Sequence, residues 1–299
     1  MSDPDPDPDP GPVDGPAAEG SDRAAGRLAV RKTYKLYLGG TFPRSESGRS
    51  YVVTSASGAF AANAAQASRK DARDAVVAAR KAFGPWAGLT AYHRGQILYR
   101  VAEVLEGRRA QFCDQVAAGE GLSRAEADRV VGATIDRWVW YAGWSDKLAQ
   151  VLGGANPVAG PYYDFSVPEP TGVVAILAPQ DSSLLGLVSV LAPVMVTGCT
   201  AVALASQARP LPAVTLGEVL ATSDVPAGVV NILTGRSTEL APVLAAHMDV
   251  NAIDLTGADP GTRADLRRAA ADNVKRTHHH DGDWLADPGL GPIRAVVET

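Results

Sequence analysis

The chain has 299 residues, 46% of them hydrophobic and 20% charged, and its 28 Lys and Arg against 33 Asp and Glu leave a net charge of −5. This length predicts one large or two ordinary domains, and the composition excludes a wholly disordered or collagen-like protein. The negative balance argues against a nucleic-acid partner, since such proteins present a basic face. No apolar run approaches the roughly 18 residues of a membrane span and no secretory leader pattern is present, so we expect a cytoplasmic protein.

Residues 1–27 begin with repeated Asp-Pro units and continue in Gly, Ala and Ser. Such a segment repels itself and lacks apolar mass, which predicts a disordered acidic tail. Two interpretations of the tail stay open: a docking arm, and a leader without a role of its own.

After the tail, the hydropathy pattern first alternates and then changes to a helical period. Residues 34–38 and 51–54 are predicted to pair as a β-hairpin across a Gly-Ser turn. From Arg69 onward, apolar residues recur at the spacing of one helix face. The pair Gly84-Pro85 predicts the end of this helix.

Three more helices precede an extended region. Their helical periods cover residues 92–105, 111–119 and 123–144. Ser123 followed by Glu126 fits a capping box at the start of the last one. Residues 162–167, with Pro168 and Pro170 beyond them, predict an exposed ribbon or edge strand, because proline cannot donate to a β-ladder.

From residue 172 onward, short apolar strands alternate with helices. The predicted strands are 172–177, 201–205, 229–233 and 252–255, and the predicted helices are 184–196, 213–221 and 239–247. Strands this apolar are covered on both faces, so the pattern predicts a doubly wound, Rossmann-like α/β fold with a mostly parallel sheet. Ligands of such sheets bind at the carboxyl ends of the strands. The sequence has neither a G-x-G-x-x-G nor a Walker A motif there.

Asp181, Ser182 and Ser183 stand just before the helix at 184–196. Free N–H groups at a helix start favour an anion such as phosphate, but Asp181 brings a negative charge to the same place. The alternative is that these side chains cap the helix, a role that Asp and Ser fill well. Both interpretations stay open.

Four stretches in order resemble the aldehyde dehydrogenase family. Residues 172–179 are similar to the strand before its P-W-N-F-P loop, 191–198 to the helix after it, 225–232 to its L-P-x-G-V-x-N run, and 255–257 to F-T-G-S. The resemblance covers about residues 30–276. It implies an NAD(P)-binding domain over 28–276, with an oligomerisation hairpin at about 156–170.

The resemblance also places the cofactor-binding positions. They fall on Pro179, Gln180, Gln207, Gly257 and Ala258. Leu204 replaces the Lys and Gln207 the Glu that hold the ribose, and Ala258 replaces the Ser that meets the phosphate. Each lost polar partner costs about 1–3 kcal/mol. We therefore expect NAD(P) binding to be weak or lost.

The resemblance implies no intact catalytic residue in this chain. The oxyanion-stabilising Asn falls on Asp181, and an ionised carboxylate would repel a developing oxyanion. Residues 273–276 resemble the run before E-L-G-G-K, but the general-base Glu does not follow. We expect the domain with the nucleophilic Cys to be missing, and residues 277–299 to be a linker and a segment like the family's last oligomerisation strand.

Other candidates for chemistry have plainer interpretations. The two cysteines are too few for a disulfide framework, and Cys199, with no basic neighbour to activate it, is interpreted with Cys113 as a buried small hydrophobe. The tract 278–280 is interpreted as an exposed linker rather than a metal site, because three adjacent histidines cannot share one ion from a regular strand. Glu120 and Asp254 are interpreted as ordinary helix-end and strand-end acids, with nothing to pair them as a general acid and base.

Three hypotheses about function follow. The first is a non-catalytic or regulatory subunit, in a homo- or hetero-oligomer with a full-length aldehyde dehydrogenase, whose exposed strands pair with a partner. The second is an NAD(P)-dependent aldehyde oxidoreductase of reduced form. The third is a decayed product without a role. No nucleic-acid or membrane partner is expected, and whether the chain is an enzyme stays open.

Overall fold

Strands and helices alternate from Val173 onward in this computed structural model, which describes residues 30–299. The predicted acidic tail, 1–27, lies outside the described residues. The strands are β1 (Thr33–Tyr34), β2 (Ser50–Thr54), β3 (Phe60–Ala65), β4 (Gly154–Ala155), β5 (Phe165–Ser166), β6 (Glu169–Pro170), β7 (Val173–Leu177), β8 (Thr200–Leu204), β9 (Val230–Leu233), β10 (Ala252–Asp254), β11 (Arg276–His278) and β12 (Val297–Glu298). The helices are α1 (Arg69–Ala87), α2 (Ala91–Gly107), α3 (Arg109–Glu120), α4 (Arg124–Trp144), α5 (Leu148–Leu152), α6 (Leu185–Val196), α7 (Leu211–Ala221), α8 (Ser237–Ala246), α9 (Pro260–Ala271) and α10 (Gly291–Arg294).

Five parallel strands form the central sheet, in the order β11-β10-β7-β8-β9. The pairing of β7 with β8 runs from Val173 opposite Thr200 to Leu177 opposite Leu204. Every residue of these two strands is buried, as expected for a sheet that is covered on both faces. The predicted doubly wound α/β fold is confirmed.

Side chains of β7 divide between two apolar clusters. Val174 and Ile176 belong to one cluster, together with buried residues of α2, α4, α6 and α7. Val173, Ala175 and Leu177 belong to the other, together with buried residues of α1, α8 and α9. This division follows the two-residue period of a strand, so each face of the sheet needs its own layer of helices.

The sheet extends one strand further than predicted. Strand β11 lies beside β10 in parallel, with His278 opposite Asp254. The predicted boundary between residues 276 and 277 therefore falls inside a strand, and the linker does not begin there. The sequence Arg-Thr-His has no apolar run because β11 is an edge strand with two exposed residues, which is why its pattern does not indicate a strand.

The predicted hairpin between residues 34–38 and 51–54 is wrong. Strand β2 instead pairs with β3 in antiparallel fashion, with Tyr51 opposite Ala64, and β1 lies on the other side of β3 in parallel. Tyr37 forms an isolated bridge to Ile232 at the edge of the central sheet. The run that forms β3 is rich in alanine, which is depleted in strands, so its sequence does not indicate one.

The predicted capping box at the start of α4 is confirmed. The Ser123 side chain accepts a hydrogen bond from the Glu126 N–H, and the Glu126 carboxylate accepts one from the Ser123 N–H. Helix α1 continues through Pro85 and ends at Ala87, so the predicted end at Gly84-Pro85 is wrong, and the helix runs three residues beyond Gly84.

Within the described part of the chain, no helix combines the length and apolar character needed to cross a membrane.

The predicted exposed ribbon is present beside the central sheet. Strand β4 pairs with β5, and β6 pairs with the C-terminal strand β12, both in antiparallel fashion. Large apolar side chains are exposed here, with Tyr163 in the connection between β4 and β5 97% and Phe165 in β5 63% accessible to solvent. The C-terminal strand thus completes a second small ribbon next to the first.

Candidate functional site

The loops after β7, β8, β9 and β10 meet at one edge of the sheet, because the carboxyl ends of parallel strands coincide. Sequence reasoning placed all its cofactor positions there. The positions are Pro179, Gln180 and Asp181 after β7, Leu204 and Gln207 at and after the end of β8, and Gly257 and Ala258 after β10. Their actual contacts decide what this edge can bind.

Gln180 and Gln207 are brought together and bond to the protein itself. The Gln180 Oε1 accepts a hydrogen bond from the Gln207 N–H at 3.0 Å, and its Nε2 donates to the Ala178 carbonyl at 2.8 Å. The Gln207 Oε1 accepts from the Ser237 N–H at 3.4 Å, at the start of α8. The two amides therefore connect the loops after β7, β8 and β9 to one another.

Arg209 belongs to this edge, although sequence reasoning missed it. Its Nη1 donates to the backbone carbonyls of Gln180, at 3.2 Å, and Asp181, at 2.9 Å. A cation in the loop after β8 is the sequence feature that could have revealed it. The Asp181 side chain is exposed, and the N-cap residue of α6, Leu184, makes no side-chain cap; the Ser182 Oγ instead accepts from the Gly186 N–H in the first turn, at 2.9 Å.

A carboxylate of the protein occupies the approach to α6. The Glu120 Oε1 accepts hydrogen bonds from both the N–H and the Oγ of Ser183, each at 2.7 Å. Glu120 is the last residue of α3, as interpreted from the sequence, and its partner here is the start of α6 rather than a second catalytic acid or base. Two interpretations of residues 181–183 were open, an anion site and a helix cap. The Ser183 N–H is already bonded to the Glu120 carboxylate, which occupies the place that a bound anion would take. The bonds at Ser182 and Ser183 therefore favour capping from within the protein.

Gly257 lies directly against the end of β7. Its N–H donates to the Leu177 carbonyl at 2.8 Å, and an added Cβ would stand 1.8 Å from the Ala178 carbonyl oxygen. Only glycine fits this contact. Leu204 and Ala258 are buried in the apolar cluster on the α1 face, with 2% and 7% of their surface exposed. They contribute to packing and present no hydrogen-bonding group to a ligand.

Asp254 is a buried carboxyl at the end of β10, surrounded by the histidine tract. It accepts a hydrogen bond from the Thr256 N–H at 2.8 Å. Burial raises its pKa, while that hydrogen bond and the nearby His278 and His280 act in the opposite direction. The His280 ring stacks on Trp284 with centroids 4.5 Å apart.

The tract at 278–280 is half-buried rather than an exposed linker. The His280 N–H donates to the Thr256 Oγ1 at 2.9 Å, and the His279 Nε2 lies 2.7 Å from the Asp281 carboxylate. Across residues 30–299, no group of three or more His, Cys, Asp or Glu converges in a way that could hold a metal ion.

Both cysteines are buried, as the sequence predicts. Cys113 lies in α3 with its Sγ 3.7 Å from an Asp128 carboxylate oxygen, and the Cys199 Sγ donates to the Val296 carbonyl at 3.3 Å. Burial raises the pKa of both thiols. Cys199 precedes β8, so the length of that strand, about 3.3 Å per residue, separates it from the carboxyl edge.

Most of the residues that form this fold match one protein family. Residues 42–282 match the aldehyde dehydrogenase family. This chain belongs to that family. The match includes the histidine tract, so the tract lies within the family domain rather than after it.

Similar proteins are longer than this chain. A (Z)-2-((N-methylformamido)methylene)-5-hydroxybutyrolactone dehydrogenase from Acinetobacter baylyi is 32% identical over 81% of this chain and 49% of its own length. The cytosolic 10-formyltetrahydrofolate dehydrogenase of Mus musculus is 30% identical over 85% of this chain and 29% of its own length. The NAD+ complex of an aldehyde dehydrogenase from Bacillus cereus matches with a TM-score of 0.78 and 26% identity, over 83% of this chain and 50% of that one. The chain thus spans about half or less of the length of the relatives it matches.

At the positions that the family resemblance assigns to the dinucleotide, the side chains of this chain are either apolar or already bonded to the protein. Leu204 and Ala258 are buried and apolar. The Ser183 N–H already bonds to Glu120. The Gln180 amide already bonds to the Gln207 and Ala178 backbone.

We expect Gly257→Ala to destabilise the fold, because its Cβ would collide with the backbone of Ala178. Overpacking of this kind lowers the free energy of unfolding by about 1–3 kcal/mol or more. Urea unfolding followed by circular dichroism measures this change. The matched control is Gly143→Ala in α4, where an added Cβ meets no atom within 4 Å. Equal unfolding midpoints for the two variants would contradict the contact described for Gly257.

We expect the free energy of unfolding of Asp254→Asn, compared with that of the native protein, to increase as the pH rises from the ordinary pKa range of Asp toward the raised pKa of Asp254. Because burial raises the folded-state pKa of Asp254, the native protein loses stability between the ordinary Asp range and that raised value. The neutral amide of the variant does not titrate and therefore avoids this loss. The difference in free energy of unfolding between variant and native protein grows by at most about 1.36 kcal/mol per pH unit within the window. Unfolding free energies measured across this pH range test the expectation, with Asp136→Asn, at an exposed position, as the control. A gap between Asp254→Asn and the native protein that does not change with pH would contradict it.

Proposed function

We propose that this chain contributes an aldehyde dehydrogenase fold without a catalytic centre, and acts as a non-catalytic or regulatory subunit assembled with a full-length aldehyde dehydrogenase. The observation that carries the proposal is the placement of its thiols. The 299-residue chain has two cysteines, and both are buried. Neither belongs to the loops at the carboxyl edge of the sheet.

Aldehyde oxidation through a thiohemiacetal, the chemistry that the family resemblance implies, requires a thiolate as nucleophile. A thiol whose pKa is raised by burial stays protonated at neutral pH and reacts poorly. Cys199 and Cys113 both have raised pKa values. The thiols of this chain therefore support a packing role.

The oxyanion position argues in the same direction. A developing oxyanion is stabilised by hydrogen-bond donors placed around it. The family resemblance puts Asp181 at this position, and its carboxylate is exposed and has no hydrogen to donate when ionised. The Arg209 guanidinium, in the loop after β8, bonds to the backbone carbonyls of Gln180 and Asp181 instead.

Dinucleotide binding is weak or lost in this proposal. The hydrogen-bonding groups at the carboxyl edge bond to the protein itself, through Gln180, Gln207 and Glu120. Leu204 and Ala258 add apolar packing where the family resemblance implies polar contacts. Each polar partner that is missing costs about 1–3 kcal/mol, which is roughly tenfold or more in affinity.

Assembly is supported by the ribbon formed by residues 154–170. Tyr162, Tyr163 and Phe165 are largely exposed on it, and aromatic side chains are enriched at protein interfaces. Strands β4 and β5 form a ribbon of only two strands, which is marginally stable alone. A partner strand at its edge would both bury the aromatics and complete the backbone hydrogen bonds.

The test is to purify the chain alone and mixed with a full-length aldehyde dehydrogenase from the same cell. Sizing chromatography then detects co-elution, and NAD(P)H formation with several aldehydes detects turnover. We expect no turnover by the chain alone, and co-elution of the mixture with altered kinetics of the full-length enzyme.

The variant Tyr163→Ser should weaken co-elution, whereas Tyr92→Ser, which removes an exposed tyrosine from α2, should not. Turnover by the chain alone would favour the alternative, an NAD(P)-dependent aldehyde oxidoreductase of reduced form. Separate elution under all conditions would contradict the proposed assembly.

A further inference from the structure

A groove of about 230 Å³ at the end of the β1-β3-β2 sheet is lined by three cations, Lys35, Arg44 and Arg49. The lining also carries the hydroxyls of Thr33 and Ser50. Within the described residues, no carboxylate lines this groove. Its polar side chains are therefore all cations or hydroxyls.

The backbone that carries the three cations is held in place. The Leu36 N–H donates to the Pro43 carbonyl at 3.1 Å, which ties the segment of Lys35 to that of Arg44. The Arg49 carbonyl accepts from the Gln66 N–H at 2.9 Å, next to β3. The backbone around the groove is thus fixed in advance of any ligand, which reduces the backbone entropy lost on binding.

Two acids near the groove have hydrogen-bonding partners within the protein, and one of them, Asp71, bonds to Ser45, which itself lines the groove. Asp71 is buried and accepts hydrogen bonds from the Ser45 Oγ at 2.7 Å and the Ser68 N–H at 2.8 Å, and Glu46 accepts from the Ser68 Oγ at 2.9 Å. Neither acid lines the groove. None of the three cations forms an ion pair with another residue in the 30–299 range.

Three like charges around one groove repel each other, and an anion between them removes that repulsion. Arginine binds phosphate with two parallel hydrogen bonds, lysine binds it as a point charge, and hydroxyls donate to its remaining oxygens. The groove is smaller than the roughly 300–1,000 Å³ typical of pockets for whole drug-sized ligands. It therefore suits a phosphoryl or pyrophosphoryl group rather than an entire dinucleotide.

We propose that this groove binds the phosphate group of a small soluble molecule, through Lys35, Arg44 and Arg49. The site shares no lining residue with the loops after β7, β8 and β10. It stands independently of the proposed assembly, because its residues lie on the N-terminal sheet and not on the ribbon at 154–170. It is linked to the central sheet through Thr234, whose Oγ1 donates to the Ala65 carbonyl at 2.5 Å.

The test is calorimetric titration of the full chain with inorganic pyrophosphate at constant ionic strength. The double variant Arg44→Gln with Arg49→Gln should bind at least about a hundredfold more weakly, since each charged hydrogen-bonding partner contributes about tenfold or more. The control, Lys81→Gln with Arg129→Gln, removes the same net charge at exposed positions on α1 and α4 and should change affinity less than twofold.

Unfolding midpoints of the two double variants, measured in urea, should match that of the native chain, which shows that lost binding is not lost folding. Absence of saturable pyrophosphate binding by the native chain would overturn the proposal. Equal loss of affinity in both double variants would also overturn it, because binding would then follow net charge alone. An affinity for sulfate equal to that for pyrophosphate would overturn the assignment to phosphate.

Discussion

Burial of β7 on both faces is the constraint on which the rest of the structure depends. Its residues alternate between two apolar clusters, so each face must be covered by its own helices. The parallel order of all five strands then brings the carboxyl ends together at one edge. There the backbone of Gly257 closes on Ala178 with no room for a side chain.

At that edge the chain satisfies its own polar groups. Glu120 bonds to Ser183, and Gln180 bonds to the Gln207 backbone, so the helix start and the loops carry partners from within the protein. A family fold does not require the family's chemistry, which depends on particular side chains. The aldehyde dehydrogenase family is established here by the fold and the match, whereas the proposed role depends on the thiols, Asp181 and the exposed ribbon.

Apolar runs such as β7 and β8 could be predicted because a strand buried on both faces must be hydrophobic throughout. Strands β3 and β11 could not, since one is rich in alanine and the other is a polar edge strand. The carboxyl-edge loops followed from the strand order, whereas the positions of Gln180 and Gln207 within them came from the resemblance to the aldehyde dehydrogenase family. Contacts such as the one between Glu120 and Ser183 join residues 63 positions apart, and no local pattern indicates them.

The central proposal, that dinucleotide binding at the carboxyl edge is weak or lost, is tested most directly by titrating NAD+ and NADP+ into the purified 299-residue chain in a calorimeter. A full-length aldehyde dehydrogenase serves as the positive control under the same conditions. The contacts of Leu204, Glu120 and Gln180 predict no saturable binding of either dinucleotide in the micromolar range. Saturable binding of NAD+ or NADP+ with micromolar affinity would contradict the claim.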